Sequence, residues 1–407
     1  MTRLVSYCGD DFTGSTDVME ALASHDVSTV LFTRIPSAAE FAPFADYEAV
    51  GLATTSRSQT PQWMDEHLPQ AFAWLKSLEA CFCHYKVCST FDSSPAVGSI
   101  GHATEIGLRV FGQKRATLCV GAPQLKRYTF AGHLFADFRG TVYRIDRHPV
   151  MSVHPVTPMD ESDLLIHLAR QANVPADILD VHDLTTQKAA GLALISLPPE
   201  NLPFVVGSSG VEYALMAALG MPSSASFQPI APVDRLLVVS GSVSPTTEKQ
   251  IAFAAANGFE ALAADPLELA CGRGETILND ARAILARGGS PLIYTASGPA
   301  TDRGEALNAL PQGRVMLSRE LGRLAKTLVS EFGLKRLVIA GGDTSSHALS
   351  ELNIHALTTR YPLLDTPGSP VCTAHSASVE FDGLELAMKG GQVGKDDYFV
   401  RLKEGIQ

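Results

Sequence analysis

Two adjacent aspartates, Asp10 and Asp11, stand where the first predicted strand meets the first predicted helix. In parallel α/β sheets ligands bind outside the carboxyl ends of strands, so this is an expected location for a site. One carboxylate could cap the helix, but two in sequence exceed what a cap requires. Because adjacent carboxylates accept hydrogen bonds from vicinal hydroxyl groups, the pair favours a polyol-binding role.

A second polar cluster, Lys86 to Pro95, follows another predicted strand and contains a cation, several hydroxyl groups and Asp92. Lys86 would meet the negative end of a hydroxylated carboxylate, and the other groups would meet its hydroxyls. A Ser/Thr/Asp turn beside a solvated lysine is an equally good interpretation of the pattern alone. Arg57 ends the third predicted strand and could add a bidentate carboxylate clamp, although by itself it is only a surface arginine.

A proline-stiffened segment carries His148 and His154 ahead of a predicted helix that Asp160 could cap. Proline can hold a nearby histidine in one geometry, but a lone histidine is more often a structural hydrogen-bonding group than a catalyst. The residue pattern leaves the role of this segment open.

Two strand-to-helix turns in the second half of the chain are rich in small residues: Ser240-Gly241-Ser242 and Gly341-Gly342-Asp343-Thr344. Free N–H groups at a helix start attract phosphate, and glycine lets the backbone approach a ligand. Asp343 could hold Mg²⁺ or accept the proton of an attacking hydroxyl, or it could merely cap a helix. Later, Lys389 and Gly391 stand in a glycine-rich segment that could reach a nucleotide or form a simple turn.

Three common motifs are missing from the chain. Without GxxxxGK[ST] or GxGxxG, a P-loop NTPase and a standard dinucleotide-binding dehydrogenase lose their main support. Without a GxSxG elbow, a serine hydrolase is disfavoured.

The elements that must position these clusters are short apolar runs alternating with helical patterns, which indicates parallel sheets covered by helices. The alternation stops at 220–232, a segment rich in Pro, Ser and Ala, and then restarts. At 407 residues, the chain also exceeds the usual size of one hydrophobic core. We therefore predict two α/β domains, 1–225 and 233–407, each with a largely parallel sheet flanked by helices, and an active site in the cleft between them.

Composition excludes several classes of protein. The net charge of −11 and the absence of Lys/Arg runs make nucleic acid and anionic membranes poor partners. The seven cysteines contain no CxxC pair, which disfavours a zinc site. No signal-peptide pattern or membrane-length apolar run is evident, so we expect a cytoplasmic protein, with a homodimer among the alternatives for its oligomeric state.

Taken in order along the chain, the motifs resemble the four-carbon acid sugar kinase family: Asp10-Asp11-Phe12-Thr13-Gly14, Lys86 to Ser93, His154 to Met159, Ser240-Gly241-Ser242, Gly341-Gly342-Asp343-Thr344 and Pro367-Gly368-Ser369-Pro370. The resemblance implies an N-terminal sugar-acid domain and a C-terminal nucleotide domain. It also implies transfer of phosphate from ATP, with Mg²⁺, to the terminal hydroxyl of threonate, erythronate or 3-oxo-tetronate.

The resemblance and the residue patterns together give the expected site residues. The residues expected to bind the sugar acid are Asp10, Asp11, Arg57, Lys86, Ser89, Asp92 and His154. The residues expected to bind ATP are Ser240, Gly241, Ser242, Gly341, Gly342, Asp343, Thr344, Lys389 and Gly391. Asp343 is the expected catalytic group, as base or as metal-orienting ligand, and the residues that would bind the metal are left unassigned.

Three alternatives concern the substrate and the reaction. The core at 89–93 resembles the 3-oxo-tetronate branch, but segment 124–131 departs from the Asn-Gly-Arg stretch typical of that branch. A branched acid such as 3-oxo-isoapionate is therefore an alternative substrate. A non-catalytic sugar-acid-binding protein is a second alternative, disfavoured by the presence of Asp343 and Lys389. An oxidoreductase is a third, disfavoured by the missing dinucleotide motif.

Overall fold

The computed structural model describes residues 3–154, 156–197, 202–223, 226–363, 366 and 368–406, with only the backbone of 343 and 346. The chain divides into two compact units, Met1–Ala225 and Ser226–Gln407. The boundary between the units lies within the low-charge segment 220–232. No helix among the described residues is both long enough and apolar enough to cross a membrane.

The first unit alternates strands with helices. Its described strands are β1 (Val5–Gly9), β2 (Thr29–Phe32), β3 (Ala49–Ala53), β4 (Phe82–Lys86), β5 (Ala116–Cys119), β6 (Arg127–Phe130), β7 (His133–Phe138), β8 (Thr141–Arg144), β9 (Ala176–Ile178) and β10 (Phe204–Gly207). Its described helices are α1 (Phe12–Ala23), α2 (Ala38–Phe41), α3 (Pro61–Lys76), α4 (Ile100–Phe111), α5 (Leu164–Ala169), α6 (Leu184–Ile195) and α7 (Gly210–Leu219).

Seven strands of the first unit form a parallel sheet in the order β2-β3-β1-β4-β10-β5-β9. The central strands β1, β3, β4 and β10 are buried along their whole length, as expected for strands covered on both faces. Since the strands are parallel, the residues that follow β1, β3 and β4 meet at one edge.

A small antiparallel sheet, β6-β7-β8, interrupts the alternation after β5 and was not among the predicted elements. The interpretation of Asp160 as a possible helix cap was wrong, because the helix that follows begins at Leu164. Asp163 is the N-cap, because its carboxylate accepts from the backbone N–H groups of Leu165 and Ile166. Asp160 pairs with Arg170.

The second unit is also α/β. Its described strands are β11 (Leu237–Ser240), β12 (Phe259–Ala263), β13 (Ser290–Tyr294), β14 (Arg336–Ala340), β15 (Ile354–Tyr361), β16 (Val371–Ser376) and β17 (Glu385–Lys389). Its described helices are α8 (Pro245–Ala256), α9 (Pro266–Ala270), α10 (Glu275–Ala286), α11 (Gly304–Asn308), α12 (Gly313–Phe332), α13 (Gly342–Glu351) and α14 (Tyr398–Glu404).

The strand order in the second unit is β12-β13-β11-β14-β17-β16-β15. The first five strands are parallel, and β16 runs antiparallel to both of its neighbours. The core packs Val238, Val338 and Ala387 from three adjacent strands against Ile251 of α8 and Phe399 of α14. The prediction of two α/β domains with largely parallel sheets is confirmed, whereas the expected cleft site stays a prediction.

Candidate functional site

The carboxyl end of β1 carries an ion cluster in which one arginine bridges two aspartates. Arg57 Nη2 and Nε donate to the two carboxylate oxygens of Asp10 at 2.6 and 3.1 Å, and Nη1 donates to Asp11 Oδ2 at 2.6 Å. Arg57 lies on the short turn Ser56–Ser58 after β3, and β3 pairs directly with β1. The guanidinium that was predicted to clamp a ligand carboxylate is therefore engaged by two protein carboxylates.

Asp11 has both of the roles that the sequence left open. It is the N-cap of α1, where its Oδ1 accepts from Gly14 N at 2.7 Å. Its Oδ2 accepts from Thr13 Oγ1 at 2.7 Å as well as from Arg57. Burial raises the pKa of the neighbouring Asp10 carboxyl, and the guanidinium opposes that rise.

Lys86, the last residue of β4, lies beside this cluster and is buried. Its Nζ donates to the carbonyl of the following residue at 2.9 Å and lies 3.9 Å from Asp17 Oδ2. A Cβ added to Gly14 would lie 2.6 Å from Asp11 Oδ1, 2.9 Å from Lys86 Nζ and 3.3 Å from Arg57 Nη2. Gly14 thus keeps open the place where a carboxylate, an ammonium and a guanidinium converge.

Asp92 is held by two threonine hydroxyls. Thr90 Oγ1 donates to Asp92 Oδ1 at 2.5 Å and Thr157 Oγ1 donates to Oδ2 at 2.9 Å. The Thr157 backbone N–H donates to His154 Nδ1 at 3.1 Å, which connects the predicted histidine to the aspartate. Burial alone would raise the pKa of Asp92, but Arg57 and the hydroxyl groups outweigh burial and hold the pKa below its ordinary value.

The turn between Lys86 and Asp92 is strained. Phe91 is buried with φ of 55°, a left-handed conformation that bulky residues rarely adopt and that costs about 1–3 kcal/mol. Ser89, in the same turn, is half-buried and makes no side-chain hydrogen bond among the described residues. A strained turn that leaves a hydroxyl available is typical of ligand-binding segments.

In the second unit, the three segments predicted to bind ATP begin at the same level of the sheet. Ser240 pairs with Ala340, and Ala340 pairs with Lys389, so β11, β14 and β17 end side by side. Gly241 N donates to the Ala340 carbonyl at 3.0 Å, and Gly341 N donates to the Lys389 carbonyl at 2.9 Å. Parallel pairing therefore brings together segments that lie far apart in sequence.

The two small-residue turns approach each other closely. A Cβ on Gly241 would lie 2.2 Å from Thr344 Oγ1, and one on Gly341 would lie 3.0 Å from the same atom. Gly341 also has φ of 121°, which disfavours any residue with a side chain. Both positions therefore require glycine, and the backbone of each turn stays open to a ligand.

Lys389 is fully buried between these turns. Its Nζ donates to Thr247 Oγ1 at 2.9 Å and lies 3.5 Å from the Gly391 carbonyl. The Thr247 hydroxyl also contacts Ser242 Oγ at 2.9 Å and the Gly391 carbonyl at 3.1 Å. Among the described side chains no carboxylate forms an ion pair with Lys389, and burial lowers its pKa to about 7.

Thr247 and Thr157 were not among the predicted site residues, although each organises one cluster. Nothing in the local pattern distinguishes Thr247 from other threonines in the first turn of a helix. For Thr157, its position three residues after His154 was the available signal.

A pocket in the second unit opens beside the two turns. It is lined by Gly241 and Thr344, by Thr295 after β13, by Asp302 and Arg303 before α11, and by Arg314 of α12. The pocket and the turns together offer polar and cationic groups to an anionic ligand.

The side chain of Asp343, the predicted catalytic group, lies outside the described residues, as do Pro155 and Pro367 of two motifs. Its backbone belongs to the first turn of α13, whose N-cap is Gly341. Among described residues no group of three or more His, Cys, Asp or Glu is placed to hold a metal ion.

Comparison with known proteins gives the same division of the chain. Residues 5–201 match a family described as a sugar-binding N-terminal domain, and residues 237–399 match a nucleotide-binding C-terminal domain. The fold resembles a Haemophilus influenzae protein with a TM-score of 0.69, covering 97% of this chain and 98% of that one. It also resembles a Salmonella typhimurium protein with a TM-score of 0.74, covering 98% of each chain. Both are 23% identical, which establishes the fold alone.

Two curated relatives are named as kinases. A 3-oxo-isoapionate kinase of Paraburkholderia graminis is 39% identical, covering 99% of this chain and 94% of the relative. A 3-oxo-tetronate kinase of Cupriavidus necator is 30% identical, covering 97% and 95%. This similarity extends along both units, so the chain belongs to the four-carbon acid sugar kinase family.

Proposed function

We propose that this protein is an ATP-dependent kinase that phosphorylates a hydroxyl group of a small oxo sugar acid. The first unit binds the acid, and the second binds the nucleotide. The observation that carries the proposal is Lys389, a buried cation between two glycine turns with no carboxylate partner among the described residues. A buried charge needs a partner, and a nucleotide phosphate is the anion that such turns accept.

The groups of the first unit suit a hydroxylated ligand. Asp10, Asp11 and Asp92 present carboxylate oxygens that accept hydrogen bonds from sugar hydroxyls. Lys86 adds a cation beside the open space at Gly14. Ser89 offers a hydroxyl that can donate to a carbonyl oxygen of the ligand.

Between the two acids named among the relatives, we favour 3-oxo-isoapionate. The relative that acts on it is 39% identical, against 30% for a 3-oxo-tetronate kinase. The departure of segment 124–131 from the pattern typical of the tetronate branch agrees with this choice.

The reaction moves a phosphoryl group from ATP to the acceptor hydroxyl. The hydroxyl oxygen bonds to the γ-phosphorus, the bond from that phosphorus to the bridging oxygen of ADP breaks, and the hydroxyl proton passes to a carboxylate. Positioning and charge neutralisation provide most of the rate enhancement in such transfers. Lys389 and the N–H groups of the two turns neutralise phosphate charge, and Asp343 is the proposed proton acceptor or metal-orienting group. Magnesium bound with ATP supplies further neutralisation.

The test is an assay of ADP release with ATP and 3-oxo-isoapionate or 3-oxo-tetronate, beside a parallel incubation with NAD⁺. We expect acid-dependent ADP, faster with 3-oxo-isoapionate, and no NADH. Binding of an acid without ADP formation would favour a non-catalytic sugar-acid-binding protein, and NADH formation would favour an oxidoreductase. Cytoplasmic location and a homodimer stay predictions.

A further inference from the structure

The acid site of the first unit is short of positive charge. Its charged side chains are Asp10, Asp11, Asp17, Asp92, Arg57 and Lys86. Both cations already have protein carboxylates within ion-pair distance. Four carboxylates facing two cations suit hydroxyl groups but repel the carboxylate of a sugar acid. A further cation is therefore required at this edge of the sheet.

Arg127 is a cation without an ion pair among the described residues. Its Nη1 donates only to two backbone carbonyls, those of Leu125 and Lys126, at 3.1 and 3.2 Å. Its Nε is buried and has no hydrogen-bond partner. A guanidinium with an unsatisfied buried N–H group can bind a carboxylate ligand by donating hydrogen bonds to it.

The fold brings Arg127 to the same edge as the acid site. Its backbone exchanges hydrogen bonds with Ala122, which follows the carboxyl end of β5. In the parallel sheet, β5 is separated from β4 only by β10. The residues after β5 therefore lie on the side of the sheet where Lys86 and Asp92 follow β4.

The side chain of Arg127 lies on the inner face of the small sheet. Successive strand residues alternate between faces, so Arg127 shares a face with Thr129, which is fully buried. Their cross-strand partners Ala136 and Leu134 are also fully buried. Burial lowers the pKa of Arg127, and Cys88, in the strained turn after Lys86, opposes this shift together with Asp137, which agrees with this orientation.

We infer that Arg127 binds the carboxylate of the sugar acid and makes the site selective for acids over neutral polyols. The inference rests on the proposed function and adds to it the group that recognises the acid. The ligand carboxylate would pair with Arg127 in the way that protein carboxylates pair with Arg57. Asp10, Asp11 and Asp92 would bind the hydroxyl groups of the ligand.

The test compares Arg127→Met with a matched control, Arg139→Met, which removes an exposed arginine in the turn between β7 and β8. Thermal-shift titrations would use 3-oxo-isoapionate, its neutral methyl ester and ATP. We expect Arg127→Met to weaken acid binding about 10- to 100-fold, as for loss of a charge-assisted pair, and to leave the ester and ATP unchanged. The control should bind all three like the wild type.

Equal loss of acid and ester binding, or undiminished acid binding, would overturn the inference. If Arg127→Met does not fold, Arg127→Lys keeps the charge without the fork, and it should weaken acid binding while sparing the ester. Acid-dependent ADP formation by the wild type tests the proposed function separately. If the wild type forms ADP and Arg127→Met binds acid normally, only the inference fails. If no sugar acid stabilises the wild type, both fail.

Discussion

Replacing Lys389 with methionine should make the protein more stable and at the same time weaken nucleotide binding. The ammonium is fully buried, and its contacts among the described residues are the Thr247 hydroxyl and the Gly391 carbonyl. Methionine has a similar length and no charge, so Lys389→Met removes the cost of burying the ammonium while filling the same space. The phosphate would lose its buried cation.

The pKa of Lys389 gives the magnitude and the sign. Burial lowers it from 10.5 to about 7, so between these values the unfolded chain binds more protons than the folded one. At about pH 7.5 the solution is three pH units below the ordinary lysine pKa of 10.5, and this difference corresponds to roughly 4 kcal/mol of lost stability. The hydrogen bonds of the ammonium offset part of that loss, so we expect Lys389→Met to raise the free energy of unfolding by about 1–4 kcal/mol.

Wild-type stability contributed by this group rises with pH through the window from about 7 to 10.5, because the unfolded chain progressively releases the extra proton. Lys389→Met lacks that dependence, so its advantage over the wild type should shrink as the pH rises. Urea denaturation at about pH 7, 8 and 9 measures the difference, and ATP titration should show a loss of about 10-fold or more.

Lys395→Met is the matched control, since Lys395 is exposed in the same segment, and it should change stability by no more than about 0.5 kcal/mol. A Lys389→Met variant that is less stable than the wild type, with unchanged ATP affinity, would refute the assignment of Lys389 as an uncompensated buried cation.

Three further predictions concern single positions. Lys86→Met should weaken sugar-acid binding about 10-fold and leave ATP binding intact. Equal loss of both ligands in a folded variant would contradict the proposal that the first unit binds the acid and the second binds ATP. A Cβ on Gly391 would lie 3.0 Å from Ser244 Cβ and one on Gly390 only 3.6 Å from its nearest neighbour, so Gly391→Ala should raise the KM for ATP by about 10-fold and Gly390→Ala should not. Asp343→Asn should lower kcat by about 10² while the acid still binds, and near wild-type turnover would move the chemical role to another carboxylate.

The fold class was predictable because strand and helix signals are local. Apolar runs such as those of β3 and β10 are buried on both faces, and that burial imposes the composition visible in the sequence. The small sheet β6-β7-β8 was missed. Its strands are short and its outer face exposes apolar residues such as Phe130, so the strands lack a clean alternation.

The location of the polar clusters was also predictable from the sequence, because the residues that follow parallel strands lie at the same edge of the sheet. Asp10, Asp11, Arg57 and Lys86 converge there, as their positions after β1, β3 and β4 predicted. Their roles as ligand-binding groups stay predictions.

Only the tertiary structure determines which groups the charged side chains pair with. Arg57 was expected to face a ligand, yet it pairs with Asp10, 47 residues away. The glycine-rich context of Lys389 made it a candidate for nucleotide binding, but only the packing of β17 beside β14 shows that it is buried without a carboxylate partner among the described residues. Residue type and spacing follow from local periodicity, whereas burial and charge pairing depend on contacts between distant segments, which no local pattern encodes.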